Sequence, residues 1–118
     1  MNLFRASSPV TVTDVDPQTA VRLIADGAVL LDVREPDEWA AGHSPAAQHL
    51  PLADLRVDAL PAGRIIVAVC RSGARSARAA AALTRAGLDV RNLAGGMQAW
   101  ATAGLPVVGA DGRPGVVA

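Results

Sequence analysis

The chain has 118 residues, which is the size of one domain with a buried core. Apolar residues make up 51% of the chain, which excludes a disordered protein, and the net charge of zero gives no reason to expect nucleic acid or a membrane as partner. The single cysteine excludes an intramolecular disulfide, and neither a membrane span nor a signal peptide is apparent. We therefore expect a cytoplasmic protein.

In the first half of the chain, apolar segments alternate with helical ones after a lead-in of residues 1–8. In chain order the pattern predicts a strand at Pro9–Thr13, a helix between Asp16 and Gly27, a strand at Ala28–Val33, a short helix at 35–43, a short strand at 46–51 and one or two helical turns at 52–60. The continuous apolar run in the second strand is typical of a strand covered on both faces.

The second half of the chain continues the alternation with stronger signals. It predicts a strand at Arg64–Cys70, a helix at 76–87, a strand at 89–95, a last short helix at 96–104 and a tail at 109–118 that has no pattern and is expected to fray. The alternation predicts one α/β domain over residues 9–108, with a mainly parallel sheet and helices on both faces.

The only cysteine, Cys70, lies where the strongest strand signal ends. In parallel α/β sheets, sites form beyond the carboxyl ends of the strands. The loop after Cys70 leads into a helix and contains Gly73, so its backbone N–H groups can curl around an anion. Arg71 and Arg75 add positive charge, and residues 59–88 contain arginines but no acid. This pattern indicates a cationic pocket around a reactive thiolate, although a buried, inert cysteine at a strand end is the alternative.

Four segments together resemble the rhodanese-like family of sulfurtransferases, in its small single-domain form. They are "LLDVREPDEWAAGH" (30–43), "HLPL" (49–52), "VAVCRSGARSARAAAAL" (67–83) and "NLAGGMQAWATAGLPV" (92–107). The resemblance implies a parallel sheet of about five strands between helices. It also implies transfer of a sulfane sulfur from thiosulfate or a related donor to a thiol or cyanide, through a cysteine persulfide.

Carried onto this sequence, the resemblance implies that Cys70 is the nucleophile. The active-site loop then comprises Arg71, Ser72, Gly73, Ala74 and Arg75, and Ser76 begins the helix. A basic residue directly after the cysteine resembles the thiosulfate-using type. Cysteine phosphatases and arsenate reductases of related fold use Cys-x5-Arg, whereas the arginine here arrives one residue earlier, so we rank that activity lower.

Several other residues near these motifs are assigned supporting roles. By resemblance, Asp32 and Arg34 lie near the loop, and we expect a structural pair that supports it. His43 is expected to belong to the framework, and Glu35, Asp37 and Glu38 to form a solvated first helical turn. Trp39 and Trp100 are expected in the core. Ser44 and Ala46 depart from the family pattern, where Ile and Gly are common.

Three functional hypotheses follow from these residues. The first is a thiosulfate sulfurtransferase, the second a persulfide relay for a protein partner such as a sulfur carrier, and the third a binding module without activity. Cys70 is present, so the third ranks last. With no second cysteine, the sulfur acceptor must come from outside the chain. No metal-ligand spacing or nucleotide loop occurs in the sequence, and we expect no metal and no cofactor.

Overall fold

The computed structural model describes residues 9–118, so the lead-in over residues 1–8 lies outside the described residues. The strands are β1 (Thr13–Val15), β2 (Val29–Asp32), β3 (Ala47–His49), β4 (Ile66–Val69) and β5 (Val90–Leu93). The α-helices are α1 (Pro17–Ala25), α2 (Pro36–Ala41), α3 (Ala74–Arg85) and α4 (Gly96–Thr102), and two short 3₁₀ turns occupy Leu52–Asp54 and Val57–Ala59.

The strands form one sheet in the order β1-β5-β4-β2-β3, and every neighbouring pair is parallel. On one face, α3 and the segment around Leu55 pack on alternate residues of β2 and β4. On the other face, α1 and α4 pack on the remaining residues of those strands, with Trp100 only 3% exposed. Because both faces are covered, all four residues of β2 and of β4 are buried. The predicted α/β architecture is therefore confirmed.

Local sequence signals predict where α1 starts. Asp16 accepts a hydrogen bond from the Thr19 N–H and Pro17 is the first residue of α1, as the sequence predicts.

The prediction for the first strand was wrong. The chain pairs with β5 only at Thr13–Val15, so β1 starts where the predicted strand ends, because strand limits are set by the partner and not by local alternation.

The segment after α4 is packed against the domain, which corrects the expectation of a frayed tail. Val108 bridges to His43 and to Pro114, and the Val116 N–H donates to the Ala41 carbonyl. A Cβ on Gly42 would lie 2.3 Å from the Val116 carbonyl oxygen. The close approach of two backbones therefore requires a glycine at the end of α2, which is a constraint that local sequence patterns do not report.

One tryptophan lies outside the core, contrary to expectation. Trp39 is half-buried, and its ring stacks on His43 at a centroid distance of 3.6 Å and on His49 at 4.7 Å. His43 Nδ1 lies 2.7 Å from the Trp39 carbonyl oxygen, and His49 Nε2 lies 2.7 Å from that of Arg34. Both histidines therefore fasten α2 to its surroundings, which agrees with a framework role for His43.

Candidate active site

Cys70 follows β4 directly, and its sulfur is surrounded by hydrogen-bond donors. The Gly73 N–H lies 3.1 Å from Sγ, and the N–H and hydroxyl of Ser76 each lie 3.3 Å from it. Cys70 is 1% exposed, so its sulfur is shielded from bulk water. Donors that converge on one atom favour its negative form, and the loop is therefore a receptor for a thiolate.

The loop can direct its N–H groups inward because its carbonyls are bound from the other side. At the start of α4, the Met97 N–H donates to the Cys70 carbonyl at 2.7 Å and the Gln98 N–H donates to the Arg71 carbonyl at 3.0 Å. Gly96 has a φ of +60°, and a Cβ there would lie 2.5 Å from both loop carbonyl oxygens. A glycine at this position therefore allows α4 to hold the loop from behind.

Two opposing influences act on the pKa of the Cys70 thiol. Burial raises it, because a thiolate loses hydration inside the protein. Hydrogen bonds from the Ser76 hydroxyl and from the N–H groups of Ser76, Gly73 and Ser72 lower it, and the net pKa is below its ordinary value. The loop therefore favours the nucleophilic form of the cysteine.

The charge around the loop differs from the sequence expectation in one respect. Glu38 extends from α2 and binds Arg75 through both carboxylate oxygens, at 2.7 and 2.8 Å. Glu38 is thus not part of a solvated turn, and this hydrogen bond lowers its pKa to about 2. Residues 59–88 contain no acid, but the pocket receives one from elsewhere in the chain, so the positive charge of Arg75 is already paired.

The other loop residues lie on the outside of the loop. Arg71, Ser72 and Ala74 are exposed, and the Arg71 Nε donates to the Ala118 carbonyl at 2.9 Å. Gly73 is buried with a φ of +110°, the left-handed conformation that precedes α3. The loop therefore presents the N–H groups of Ser72, Gly73 and Ser76 and the Ser76 hydroxyl to the sulfur, while the Arg71 side chain places a charge at the surface.

Asp32 and Arg34 form an ion pair at the end of β2 in which both side chains are 0% exposed. The guanidinium also donates to the Gly42 carbonyl at 2.7 Å and to the Glu38 carbonyl at 3.4 Å. The two side chains bond to each other and to α2. The pair therefore holds α2, and α2 in turn carries the carboxylate that binds Arg75.

The family model for the rhodanese-like domain matches residues 16–103, which include Cys70, its loop and the elements that hold it. The chain belongs to the rhodanese-like domain family. This is a family of sulfurtransferase-type enzymes, and the resemblance noted in the sequence is confirmed.

Relatives of this rhodanese-like domain include small proteins of similar length. It is 42% identical over 106 residues to a sulfurtransferase of Allochromatium vinosum. The matched region covers 86% of this chain and 99% of the relative. It is 38% identical to the thiosulfate sulfurtransferase GlpE of Pseudomonas entomophila, over 73% of this chain and 82% of the relative. A solved rhodanese-related protein of Thermoplasma volcanium is 30% identical with a TM-score of 0.76, over 81% and 97% of the two chains. Other curated relatives are longer, and the chain spans 63%, 38% and 20% of three of them.

Three residues of this rhodanese-like domain shape the site although the sequence analysis did not assign them to it. Glu38 pairs with Arg75, Gly96 allows α4 to reach the loop, and Asn92 on β5 accepts a hydrogen bond from the Ser76 hydroxyl at 2.6 Å. Asn92 lies between Arg91 and Leu93 on β5, and it is 4% exposed. A buried amide beside the carboxyl end of β4 is a signal that could have identified it.

The described residues, 9–118, hold no group of three or more histidine, cysteine, aspartate or glutamate side chains that could bind a metal ion. In the same range, no helix has both the length and the apolar character needed to cross a membrane.

Proposed function

We propose that this protein transfers a sulfane sulfur from thiosulfate or a related donor to a thiol or cyanide acceptor, through a persulfide on Cys70. The observation that supports this most directly is the set of donors from Gly73 and Ser76 around a single buried sulfur. These hydrogen-bond donors stabilise the Cys70 thiolate, and this thiolate attacks the sulfur-donor molecule in the proposed reaction. Asp32 and Arg34 support the loop indirectly, because they hold α2 and Glu38 of α2 binds Arg75 of the loop.

The proposed reaction needs no electron carrier. The Cys70 thiolate attacks the outer sulfur of thiosulfate, a new S–S bond forms, and the S–S bond of thiosulfate breaks as sulfite leaves with the bonding electron pair. The acceptor then attacks the outer sulfur of the persulfide. Cyanide leaves as thiocyanate, or a thiolate acceptor leaves as a persulfide, and the Cys70 thiolate is restored.

The test of this function uses wild type and Cys70→Ser. Mass spectrometry after thiosulfate treatment should show the gain of one sulfur atom on wild type and none on the variant. Thiocyanate formation from thiosulfate and cyanide should disappear in the variant, while its thermal unfolding stays close to that of wild type. Turnover by folded Cys70→Ser would contradict the proposal.

The second candidate is a persulfide relay that passes the sulfur to a protein partner such as a sulfur carrier. It rests on the same chemistry and on the fact that Cys70 is the only thiol in the chain, so that the acceptor is external. A wild-type protein that takes up sulfur from thiosulfate but releases it to cyanide only slowly would favour the relay.

Phosphate transfer is the less favoured alternative, and the loop geometry explains why. Six residues after Cys70 stands Ser76, whose N–H and hydroxyl both bind the sulfur. The loop arginine, Arg75, is bound by Glu38. Hydrolysis of an aryl phosphate that depends on Cys70 would promote this alternative.

A further inference from the structure

Four polar side chains form a continuous chain of hydrogen bonds from Cys70 to the edge of the sheet. The Ser76 hydroxyl lies 3.3 Å from the Cys70 sulfur and 2.6 Å from the Asn92 Oδ1. The Asn92 Nδ2 donates to Asp14 on β1 at 3.0 Å. Ser76 and Asn92 are 0% and 4% exposed, so water does not replace either partner freely. The active sulfur is therefore connected to a buried amide that has no direct contact with it.

The orientation of the Asn92 amide is fixed by its surroundings. Its Nδ2 faces two acceptors, the Asp14 carboxylate and the Gly73 carbonyl, the latter at 3.3 Å. A reversed amide would place an oxygen against both of them, which is unfavourable. The Asn92 group that faces Ser76 is therefore the carbonyl oxygen, which can only accept a hydrogen bond.

The Ser76 hydroxyl thus has one proton and several acceptors. It can donate to Asn92, to the Cys70 sulfur or to the Gly73 carbonyl at 3.3 Å. When Cys70 is a thiol, its S–H can donate to the Ser76 oxygen while Ser76 donates to Asn92. When Cys70 is a thiolate, the hydroxyl can donate to the sulfur only if it rotates away from Asn92 and gives up that short bond.

We propose that Asn92 is a positioning residue that competes with Cys70 for the Ser76 proton and so limits how strongly the loop stabilises the thiolate. The proposal deepens the proposed sulfur transfer and rests on it for its functional meaning. In that reaction the negative charge moves from Sγ to the outer sulfur when the persulfide forms. The hydroxyl then returns to Asn92, and it rotates again when the acceptor releases the thiolate.

The other charged groups around the sulfur are the same before and after this rotation. Arg75 on α3 interacts with Cys70 electrostatically and is bound by Glu38 of α2. Arg71 is exposed and bound to the Ala118 carbonyl, and the carboxylate of Asp14 lies beyond the Asn92 amide. The ion pair of Asp32 and Arg34 is internally balanced. Substitution of Asn92 or Ser76 by a neutral residue leaves all these charges in place.

The test measures the pH midpoint for alkylation of Cys70 by iodoacetamide, a small neutral reagent, in wild type, Asn92→Leu, Ser76→Ala and the double variant. Cys70 is the only thiol, so the reaction reports on it alone. Asn92→Leu should lower the midpoint by about 0.5 to 1 pH unit, because Ser76 then donates to the sulfur without a competitor. Ser76→Ala should raise it by a similar amount.

The double variant decides the mechanism. With Ser76 replaced by Ala, the Asn92→Leu substitution should no longer move the midpoint, since Asn92 acts only through the hydroxyl. A midpoint that rises or stays constant in Asn92→Leu, or a shift that persists without the hydroxyl, would overturn the proposal. Asn92→Ala should shift the midpoint in the same direction, and it keeps the test available if Asn92→Leu does not fold.

Two further measurements complete the design. Asp14→Asn removes the carboxylate charge but keeps an acceptor for the Asn92 amide, and it should shift the midpoint less than Asn92→Leu does. Sulfur uptake from thiosulfate by wild type is measured separately by mass spectrometry. Failure of uptake would count against the proposed function, whereas the alkylation midpoints need no sulfur donor and test Asn92 alone.

Discussion

Two arginine–carboxylate pairs lie near the candidate site, and they differ in their surroundings more than in their geometry. The shortest N–O distance is 2.8 Å between Arg34 and Asp32 and 2.7 Å between Arg75 and Glu38. Both side chains of the first pair are 0% exposed, whereas Arg75 is 37% and Glu38 16% exposed. Equal distances therefore do not imply equal energies, because the screening by water and the cost of losing one partner differ.

The two pairs also connect different parts of the fold. Asp32 and Arg34 are two residues apart, and their bonds to the Gly42 and Glu38 carbonyls fasten α2 to the end of β2. Glu38 and Arg75 are 37 residues apart and join α2 to α3. The buried pair belongs to the framework, and the half-exposed pair connects that framework to the loop.

The largest effect is expected from Arg34→Met, which leaves the Asp32 carboxylate buried without its partner. Removal of one partner from a buried ion pair costs about 3–5 kcal/mol. The melting temperature should fall by about 10–20 °C for a domain of this size. Thermal unfolding followed by circular dichroism measures this loss.

The control for Arg34→Met is the double variant Asp32→Asn/Arg34→Met. It contains no unpaired charge and keeps an acceptor for the Arg34 backbone N–H, which Asp32 binds at 3.0 Å. It should recover part of the lost stability. If Arg34→Met were as stable as wild type, loss of one partner from the buried pair would cost no more than loss of one partner from the half-exposed pair.

A smaller effect is expected from Glu38→Gln. The neutral side chain keeps one hydrogen bond to Arg75 but loses the charge, and we expect a loss of about 1 kcal/mol at neutral pH because the pair is partly screened. Urea unfolding of wild type and variant, measured at a series of pH values, tests both the size and the origin of this loss.

The pH dependence of that difference has a defined sign. The bond to Arg75 holds the pKa of Glu38 at about 2, below its usual 4.5. The stability from this carboxylate is therefore complete above about pH 4.5 and is lost as the pH falls toward 2. The gap between wild type and Glu38→Gln should shrink over this range. A gap that stays constant down to about pH 2.5 would mean that the ion pair is not its cause.

The site was predictable where its chemistry is local in the chain. An apolar run that ends in cysteine placed Cys70 at the carboxyl end of a strand, and Gly73 before an alanine-rich helix indicated the curled loop. The structure agrees with both placements, since β4 ends at Val69 and Gly73 precedes α3. The strand end and the loop are set by residues that are adjacent in the chain, so the local sequence pattern predicts them.

The remainder depends on contacts between distant segments. Glu38 reaches Arg75 because α2 packs beside the loop, and Asn92 reaches Ser76 because β5 is the neighbour of β4. The segment that ends in Ala118 is held by backbone bonds, as between Val116 and Ala41, and side-chain patterns do not encode such bonds. The sequence therefore predicts the position of Cys70 and of the loop around it, but not the distant residues that pair with that loop.

The smallest effect is expected from Arg71→Ala, which extends the comparison to an arginine at the surface beside the loop. Arg71 donates through Nε to the Ala118 carbonyl at 2.9 Å and leaves its charge at the surface beside the loop. If thiosulfate, a dianion, is the donor, this charge should help to hold it. The KM of Arg71→Ala for thiosulfate should then be about fivefold higher than that of wild type, equivalent to ~1 kcal/mol, with little change in kcat.

Arg64→Ala is a matched control, because exposed Arg64 donates through Nε to the Gly27 carbonyl at 2.7 Å at the opposite end of β4. Both variants remove one positive charge, but only Arg71→Ala should raise the KM and weaken its dependence on salt. Equal kinetics for the two variants would mean that the Arg71 charge does not hold the donor, and would remove the reason to prefer thiosulfate over a neutral donor.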